Sequence, residues 1–99
     1  MTTYFRRSSG NVFQDLGFPQ DEAENLRIRS DLMIRLAKLI ENRGLTHAQA
    51  AKLLGVSQTR VRDLLRGKVQ VFSVDSLIEM LGHAGARVSL VVKERKRVA

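Results

Sequence analysis

Apolar residues recur every three or four positions along much of the chain, and this spacing predicts amphipathic helices. The longest predicted helix begins near Gln20 and ends before Gly44, and Ser30 leaves open its division into two helices. Two short helices are predicted within residues 47–66, and another over about 74–84. We expect the inward-facing side chains to be Leu26, Leu32, Met33, Leu36, Leu39, Ile40, Leu77, Ile78 and Leu81, with Met80 flanking them.

The pattern changes after the last of these helices. Residues 87–93 (RVSLVVK) alternate in polarity and are rich in β-branched side chains, which predicts one strand with Val88, Leu90 and Val92 on one face. A single strand leaves its backbone donors and acceptors unpaired. It must therefore pair with an N-terminal segment or with its copy in a second subunit, and the sequence leaves both alternatives open.

The two short helices are delimited by caps and stops. Thr46 and Gln49 have the residue types and spacing of a capping box, and Ser57 is a typical N-cap. Gly67 stands where glycine commonly ends a helix. The sequence therefore predicts where both helices begin and where the second one ends.

Four residues in this pair indicate a helix-turn-helix. Ala51 allows two helix backbones to approach at a steep angle, and Gly55 suits a turn position with positive φ. Val61 and Leu64, three residues apart, give the second helix an apolar face towards the first. An ordinary helical hairpin also has caps and glycine stops, but it does not require these four residue types at these offsets with a cationic outer face. The pattern therefore predicts a second helix that lies in the major groove of DNA.

Charge supports this prediction through its distribution. The net charge is +7; residues 43–68 contain six cationic residues and one acid, and residues 87–99 contain five and one. Residues 11–42, in contrast, contain four cationic residues and six acids. Because the positive charge gathers on the helix pair and the tail, we expect a polyanionic partner.

The second helix supplies the candidate base-reading residues, because helices of this kind contact bases with their N-terminal residues. Glutamine can pair with adenine, threonine can contact thymine, arginine can bind guanine or phosphate, and Asp63 either accepts from cytosine or orients an arginine. One such unit reads few bases, so we expect a homodimer on a palindromic operator in double-stranded DNA. The predicted base-reading residues are Gln58, Thr59, Arg60, Arg62 and Asp63, and the predicted phosphate-contacting residues are Arg43, His47, Gln49, Lys52 and Lys68.

Composition excludes other classes of protein. The 99 residues suit one domain, and the absence of cysteine excludes disulfides and thiol nucleophiles. No apolar run reaches membrane-spanning length and no signal peptide is recognisable, so we expect a soluble, cytoplasmic protein without a membrane partner. His47 and His83 lack companion residues for metal binding or acid–base catalysis, and no phosphate-binding loop or nucleophile elbow occurs. We therefore predict a protein that is not an enzyme and uses no cofactor or metal.

The first 19 residues form an N-terminal arm. Residues 1–10 show no apolar period and are expected to be mobile in the free protein. Residues 11–19 (NVFQDLGFP) are unusually apolar for a tail, and two interpretations are open: they fold onto the chain's own helices, or they dock on a partner. The candidate partner-binding residues are Val12, Phe13, Leu16 and Phe18.

Residues 43–85 resemble the five-helix DNA-binding domain of phage repressors, the Xre/Cro family, over LTHAQAAKLLGVSQTRVRDLLRGKVQVFSVDSLIEMLG. The resemblance implies an all-α, five-helix lambda-repressor-like fold, to which the sequence adds one C-terminal β-strand. The family usually has a larger apolar residue at Ala50, which implies a looser contact there. The resemblance also places His47 at the phosphate-contacting start of the first helix, and it places Gln58, Thr59 and Asp63 at base-facing positions.

A narrower resemblance covers about residues 8–93. SSGNVFQDLGFPQDEAENLRIRSDLM and FSVDSLIEMLGHAGARVSLVVK are similar to small antitoxins of the HigA type. In that family the helix-turn-helix domain dimerises and represses its own operon, and the N-terminal portion neutralises a RelE/HigB-like mRNA-cleaving toxin. The resemblance implies that NVFQDLGFP and the acidic turn after it bind the toxin, and an acidic stretch beside an apolar one suits a cationic RNase.

Together these observations predict four segments: a partly disordered arm at 1–19, a helix-turn-helix domain at 20–85, a strand at 86–93 that pairs with the arm or a second subunit, and a basic tail at 94–99. The predicted function is that of a sequence-specific DNA-binding antitoxin and autorepressor. The alternatives are a stand-alone Cro-like repressor without a toxin partner and an interaction adaptor whose helix pair no longer contacts DNA.

Overall fold

A computed structural model describes residues 11–94, so the predicted mobile segment 1–10 and residues 95–99 of the basic tail lie outside the described residues. Between residues 11 and 94 all regular secondary structure is helical, with five α-helices and one 3₁₀ turn. They are α1 (Val12–Asp15), α2 (Gln20–Asn42), α3 (His47–Leu54), α4 (Gln58–Leu65), the 3₁₀ turn Val69–Val71 and α5 (Val74–His83).

The long helix α2 is the element on which most of the domain packs. Helices α1, α4 and α5 and the 3₁₀ turn all contact it, while α3 packs against α4 and α5. Met33, Leu36 and Ile40 of α2, spaced three and four residues apart, are buried in the core, and Leu32 and Leu39 are half-buried at its edge. The helix is continuous through Ser30, so the division into two helices is wrong and α1 supplies the fifth helix instead.

Side-chain caps fix the ends of the shorter helices. The Thr46 hydroxyl accepts a hydrogen bond from the Gln49 N–H (3.1 Å), and the Gln49 side-chain carbonyl accepts one from the Thr46 N–H (2.9 Å), which confirms the capping box. The Ser57 hydroxyl caps α4 by accepting a hydrogen bond from the Arg60 N–H at 3.2 Å. Gly55, between α3 and α4, has φ of 73°, the left-handed conformation that favours glycine.

Helix α5 packs against α2 and α3 and contributes to the core. Its buried residues are Leu77, Met80 and Leu81. The sequence pattern placed Ile78 inward and Met80 at the flank, but Ile78 is only half-buried. The difference arises because Leu77, Met80, Leu81 and Ala84 follow the three-and-four spacing of one helix face, and Ile78 lies about 100° from Leu77 around the helix.

The predicted C-terminal strand is wrong: no strand occurs in the described part of the chain, and residues 86–94 have no regular secondary structure. Val88 packs half-buried against the core, but Leu90 and Val92 are 69% and 92% exposed. A strand needs a neighbour for its backbone hydrogen bonds, and the helices between residues 11 and 94 provide no sheet edge. Period-two alternation describes one segment only and could not supply the missing partner.

None of the helices between residues 11 and 94 is long and apolar enough to cross a membrane.

Candidate nucleic-acid interface

Helix α4 is held to the domain by one apolar face and presents the other to solvent. Val61 and Leu64 are buried in the main core, as their spacing predicts. Across from them, Ala50 and Ala51 of α3 are also buried, so the two helices pack together through small side chains. Ala50 is fully buried, and its small side chain is part of the hydrophobic core. Among residues 11–94, the core therefore uses only the Val61–Leu64 face of α4.

Three of the five predicted base-reading residues lie on this exposed face. Gln58 and Thr59 occupy the first two positions of α4, and Arg62 follows one turn later. An Arg62 guanidinium nitrogen is 3.5 Å from the Thr59 hydroxyl, so both side chains point to the same side of the helix. Arg66, just after α4, is exposed as well. This face combines amide, hydroxyl and guanidinium groups, the set that reads base edges and holds phosphates.

Arg60 has a different surrounding from the other predicted base-reading residues. Its Nη1 donates a hydrogen bond to the carbonyl oxygen of Val71 at 2.8 Å. Its Cζ lies 5.4 Å from the centroid of the Phe72 ring, within the range of a cation–π interaction. The guanidinium therefore contacts the 3₁₀ turn and the residue after it, within the protein itself.

Asp63 is also turned towards the protein. Its side chain is 19% exposed, and its carboxylate lies 3.6 Å from the Lys68 ammonium nitrogen. The Lys68 backbone N–H donates to the Asp63 carbonyl oxygen at 3.0 Å, which brings the two residues together after Gly67 ends the helix. Asp63 therefore partly neutralises Lys68 and orients a lysine, whereas the sequence suggested that it orients an arginine.

The predicted phosphate-contacting residues fall into two groups. His47, Gln49 and Lys52 are exposed on α3: His47 is its first residue, and Gln49 and Lys52 lie on the side opposite its buried alanines. The Gln49 carbonyl is engaged in the capping box. Arg43 and Lys68 are exposed but have protein partners, since an Arg43 guanidinium nitrogen donates to the Ala84 carbonyl oxygen at 3.2 Å and Lys68 pairs with Asp63. The structure thus brings three of the five predicted residues together on one short helix.

The sequence analysis missed Arg29, which connects α2 to the 3₁₀ turn. Its Nη1 donates to the carbonyl oxygens of Val69 (3.2 Å) and Phe72 (3.1 Å), and its Nε donates to the Asn25 side-chain oxygen (2.7 Å). A signal was present in the sequence: Arg29 lies three residues after Leu26 and four before Met33, on the apolar stripe of α2. A cation in such a position needs buried acceptors.

The candidate partner-binding segment forms α1, which packs on α2. The Asn11 side-chain oxygen caps α1 by accepting from the Phe13 N–H at 3.0 Å, and the Phe13 and Phe18 rings meet edge to face with centroids 6.2 Å apart. Val12 and Leu16, however, are 52% and 69% exposed. Two of the four apolar residues are therefore partly covered by the fold and two face solvent.

Acidic side chains begin α2 beside this segment. Asp21 and Glu22 are exposed in its first turn. Arg27 contacts Glu24 (2.6 Å) and Asp31 (3.1 Å), and the hydrogen bond to Glu24, reinforced by the charges of both acids, raises the pKa of Arg27 above its ordinary value despite partial desolvation. This part of the surface thus combines apolar and acidic groups. It differs in composition from the cationic face of α4 and is formed by a different part of the sequence.

Comparison with known proteins agrees with this geometry. The family model of the helix-turn-helix domain matches residues 12–93. A solved structure described as an XRE family transcriptional regulator matches with a TM-score of 0.70 and 31% sequence identity, covering 79% of this chain and 90% of the other. Among curated proteins, none matches this sequence significantly.

The match over residues 12–93 shows that the chain belongs to the helix-turn-helix domain family, a class of DNA-binding proteins. Within that class, the similarity in sequence and structure makes it a transcriptional regulator of the XRE family. This agrees with the Xre/Cro resemblance, and the match includes α1 and the C-terminal segment as well as the helix pair.

Proposed function

We propose that this protein is a sequence-specific DNA-binding antitoxin that represses its own operon as a homodimer and neutralises a RelE/HigB-like toxin. The DNA-binding part of the proposal is supported by the amphipathic character of α4. Val61 and Leu64 fix one side in the core, while Gln58, Thr59 and Arg62 are exposed on the other. A helix fixed in this way can enter the major groove without unfolding any part of the domain.

In this proposal the first turn of α4 reads base edges and α3 binds the backbone. Gln58 offers a bidentate amide for adenine, Thr59 a hydroxyl and a methyl group, and Arg62 a guanidinium for guanine or phosphate. His47 begins α3, where unpaired backbone N–H groups can donate to phosphate oxygens, and Lys52 adds positive charge on the same helix. The α3 contacts supply affinity and the α4 contacts supply sequence preference.

The DNA-binding part is tested by measuring the dissociation constant for DNA from the gene's own promoter over a range of salt concentrations. Each neutralised phosphate contributes about −0.9 to the slope of log affinity against log salt, so several contacts per subunit give a steep negative slope. A slope near zero would indicate the interaction adaptor instead, because its helix pair would not contact phosphates.

The dimer part of the proposal uses the C-terminal segment. Leu90, Val91 and Val92 are exposed, apolar and consecutive, and their backbone has no neighbouring strand within the described residues. Association with the same segment of a second copy would bury these side chains. A two-fold dimer would then present two α4 helices to a palindromic operator.

Replacing both Leu90 and Val92 with aspartate is expected to convert the dimer to a monomer, because two like charges from each copy would meet in the contact. Analytical ultracentrifugation measures the change, and operator affinity should fall with it. The thermal midpoint of the diluted monomer should stay close to that of wild type, since both side chains are exposed within one chain. Gln14→Asp, which adds an acid at an exposed position on α1, is the control. An unchanged dimer would place the contact elsewhere.

The antitoxin part of the proposal uses α1 and the start of α2. Val12 and Leu16 are apolar and exposed, and Asp21 and Glu22 place two carboxylates in the first turn of α2. A cationic RNase could bury the apolar pair and be attracted by the acids, which combines contact area with charge complementarity. The partial folding of α1 on α2 would pre-arrange the segment and lower the conformational entropy lost on binding.

Replacing Val12 and Leu16 with aspartate is expected to abolish capture of the toxin, because the contact would have to bury two charges. The measurement is co-purification of the basic protein encoded by the adjacent gene. Operator binding should be unaffected, since both residues are exposed and remote in sequence from α3 and α4. Gln14→Asp on the same helix serves as the matched control for added charge. If the Val12 and Leu16 double variant, or a protein lacking residues 1–20, still captures the toxin, a docking role for this segment is excluded.

A stand-alone repressor without a toxin partner is the second candidate. It is favoured by the packing of α1 on α2 and by the Asn11 cap, because a segment that folds on its own domain needs no partner to order it. A gene without a toxin-encoding neighbour, together with a purified dimer that binds its promoter and no RNase, would decide for it.

A further inference from the structure

We propose that Arg60 is a positioning residue that sets the orientation of α4 on DNA, and that it acts with Arg29 on residues 69–72. This inference rests on the proposed DNA binding and revises the role of one residue in it. Sequence position alone made Arg60 a candidate base reader, because it is the third residue of α4. Its contacts assign it to the link between α4 and α2.

Residues 69–72 receive hydrogen bonds from two different helices. Arg29 of α2 donates to the carbonyl oxygens of Val69 and Phe72 at 3.2 and 3.1 Å, and Arg60 of α4 donates to that of Val71 at 2.8 Å. Three of the four carbonyl groups in this stretch are therefore bound by arginine. The two guanidinium groups connect the start of α4 to the middle of α2 through four residues of backbone.

Directional contacts are needed here because the apolar anchor of α4 is small. Within α4 the buried residues are Val61 and Leu64 alone. Apolar burial is non-directional, so these two side chains hold α4 on the core without by themselves setting its rotation about its own axis. Charge-assisted hydrogen bonds from a planar guanidinium fix both distance and angle. The cation–π contact of Arg60 with the ring of Phe72, a buried core residue, adds a second geometric constraint.

The same contacts make Arg60 unsuitable as a base reader. Reading guanine requires the guanidinium to present two parallel N–H groups to O6 and N7. In the free protein one of its terminal nitrogens is bonded to Val71 and its Cζ is 5.4 Å from the Phe72 ring centroid. Turning outward would leave the Val71 carbonyl without this donor and would remove the cation–π contact. Arg62 has neither contact and remains oriented along the outer face with Thr59.

The test compares Arg60→Lys, Phe72→Leu and the double variant with wild type, and Arg62→Lys is the matched control on the exposed face. Lysine keeps the charge but cannot form the same planar contacts. The measurements are the ratio of operator to unrelated-DNA affinity, the salt slope, and amide hydrogen exchange of Val71 and Phe72 in the free protein. Arg60→Lys is expected to reduce the ratio about tenfold, equivalent to about 1.4 kcal/mol, across all operator positions. The salt slope should not change, and exchange in the 3₁₀ turn should accelerate.

Phe72→Leu should reproduce part of the loss although it alters no DNA-facing group. The double variant should discriminate no worse than Arg60→Lys alone, since Arg60→Lys already removes the contact with the Phe72 ring. Arg62→Lys should alter preference at one base pair and leave exchange unchanged. Loss confined to one base pair in Arg60→Lys, with a neutral Phe72→Leu, would overturn the proposal in favour of base reading. If Arg60→Lys shows faster amide hydrogen exchange but undiminished operator preference, Arg60 has only a structural role and the proposal is overturned. A wild-type protein without operator preference would instead overturn the proposed DNA binding itself.

Discussion

Replacing Leu64 with alanine is expected to lower the free energy of unfolding by about 2–5 kcal/mol, the usual loss for a fully buried leucine. Leu64 is 2% exposed and is one of two buried residues in α4. Truncation leaves a cavity between α4 and the rest of the core, and a short helix held by two side chains cannot easily close it. A domain of this size has a total stability of about 5–15 kcal/mol. The substitution should therefore remove a large share of the free energy of unfolding. Chemical denaturation followed by circular dichroism measures the change.

The neighbouring leucine supplies the control. Leu65 is 41% exposed, so Leu65→Ala makes the same chemical change in the same helix with much less lost burial. We expect a loss below about 1 kcal/mol for this variant, because the effect scales with buried apolar area. Equal losses for the two variants would mean that α4 is not seated on the core through the Val61–Leu64 face, and the orientation proposed for the DNA contact would fail with it.

Replacing both Gln58 and Arg62 with alanine is expected to reduce discrimination between operator and unrelated DNA by about 100-fold or more. Each good base contact contributes about 1–3 kcal/mol of discrimination, and a dimer loses every contact twice. Stability should change little, since both side chains are exposed and neither belongs to the core. The measurement is the ratio of the two dissociation constants at one salt concentration, in which the general loss of electrostatic affinity largely cancels.

Gln70→Ala is a suitable control for this double variant. Gln70 is exposed in the 3₁₀ turn, beyond the end of α4, and it is not among the proposed base-reading residues. We expect it to leave the ratio near that of wild type. If the Gln58 and Arg62 double variant keeps its operator preference, the sequence is read by another face of the domain and the assignment of α4 is wrong.

Much of the fold could be predicted because local signals in the sequence agree with one another. The Thr46–Gln49 capping box, the Ser57 cap and the positive φ at Gly55 are set by hydrogen bonds and sterics within a few residues, so the sequence alone located them. The apolar face of α4 followed from the three-residue spacing of Val61 and Leu64. The matches to the helix-turn-helix family and to an XRE family regulator support the same class of protein.

The failures of prediction share a physical cause. The strand at 86–93 was wrong because strand formation depends on a partner, and periodicity reports only the residues of one segment. Met80 replaced Ile78 in the core because a one-residue rotation of a short helix is decided by what packs against it. The contacts of Arg60 with Val71 and of Asp63 with Lys68 were not predicted, because both partners lie beyond the end of α4 and the sequence does not show which side chains reach them.

The sequence by itself determined the class of the protein, the position of the helix pair and the concentration of positive charge on it, since each depends on neighbouring residues or on simple counts. The tertiary structure alone decided which cations on that helix pair also contact distant parts of the protein. Arg62 is exposed beside Thr59, whereas Arg60 is bonded to Val71, a residue 11 positions away, and Arg29 reaches Phe72 across 43 positions. Contacts across such separations form only when the chain has folded, because they require the 3₁₀ turn to lie between α2 and α4.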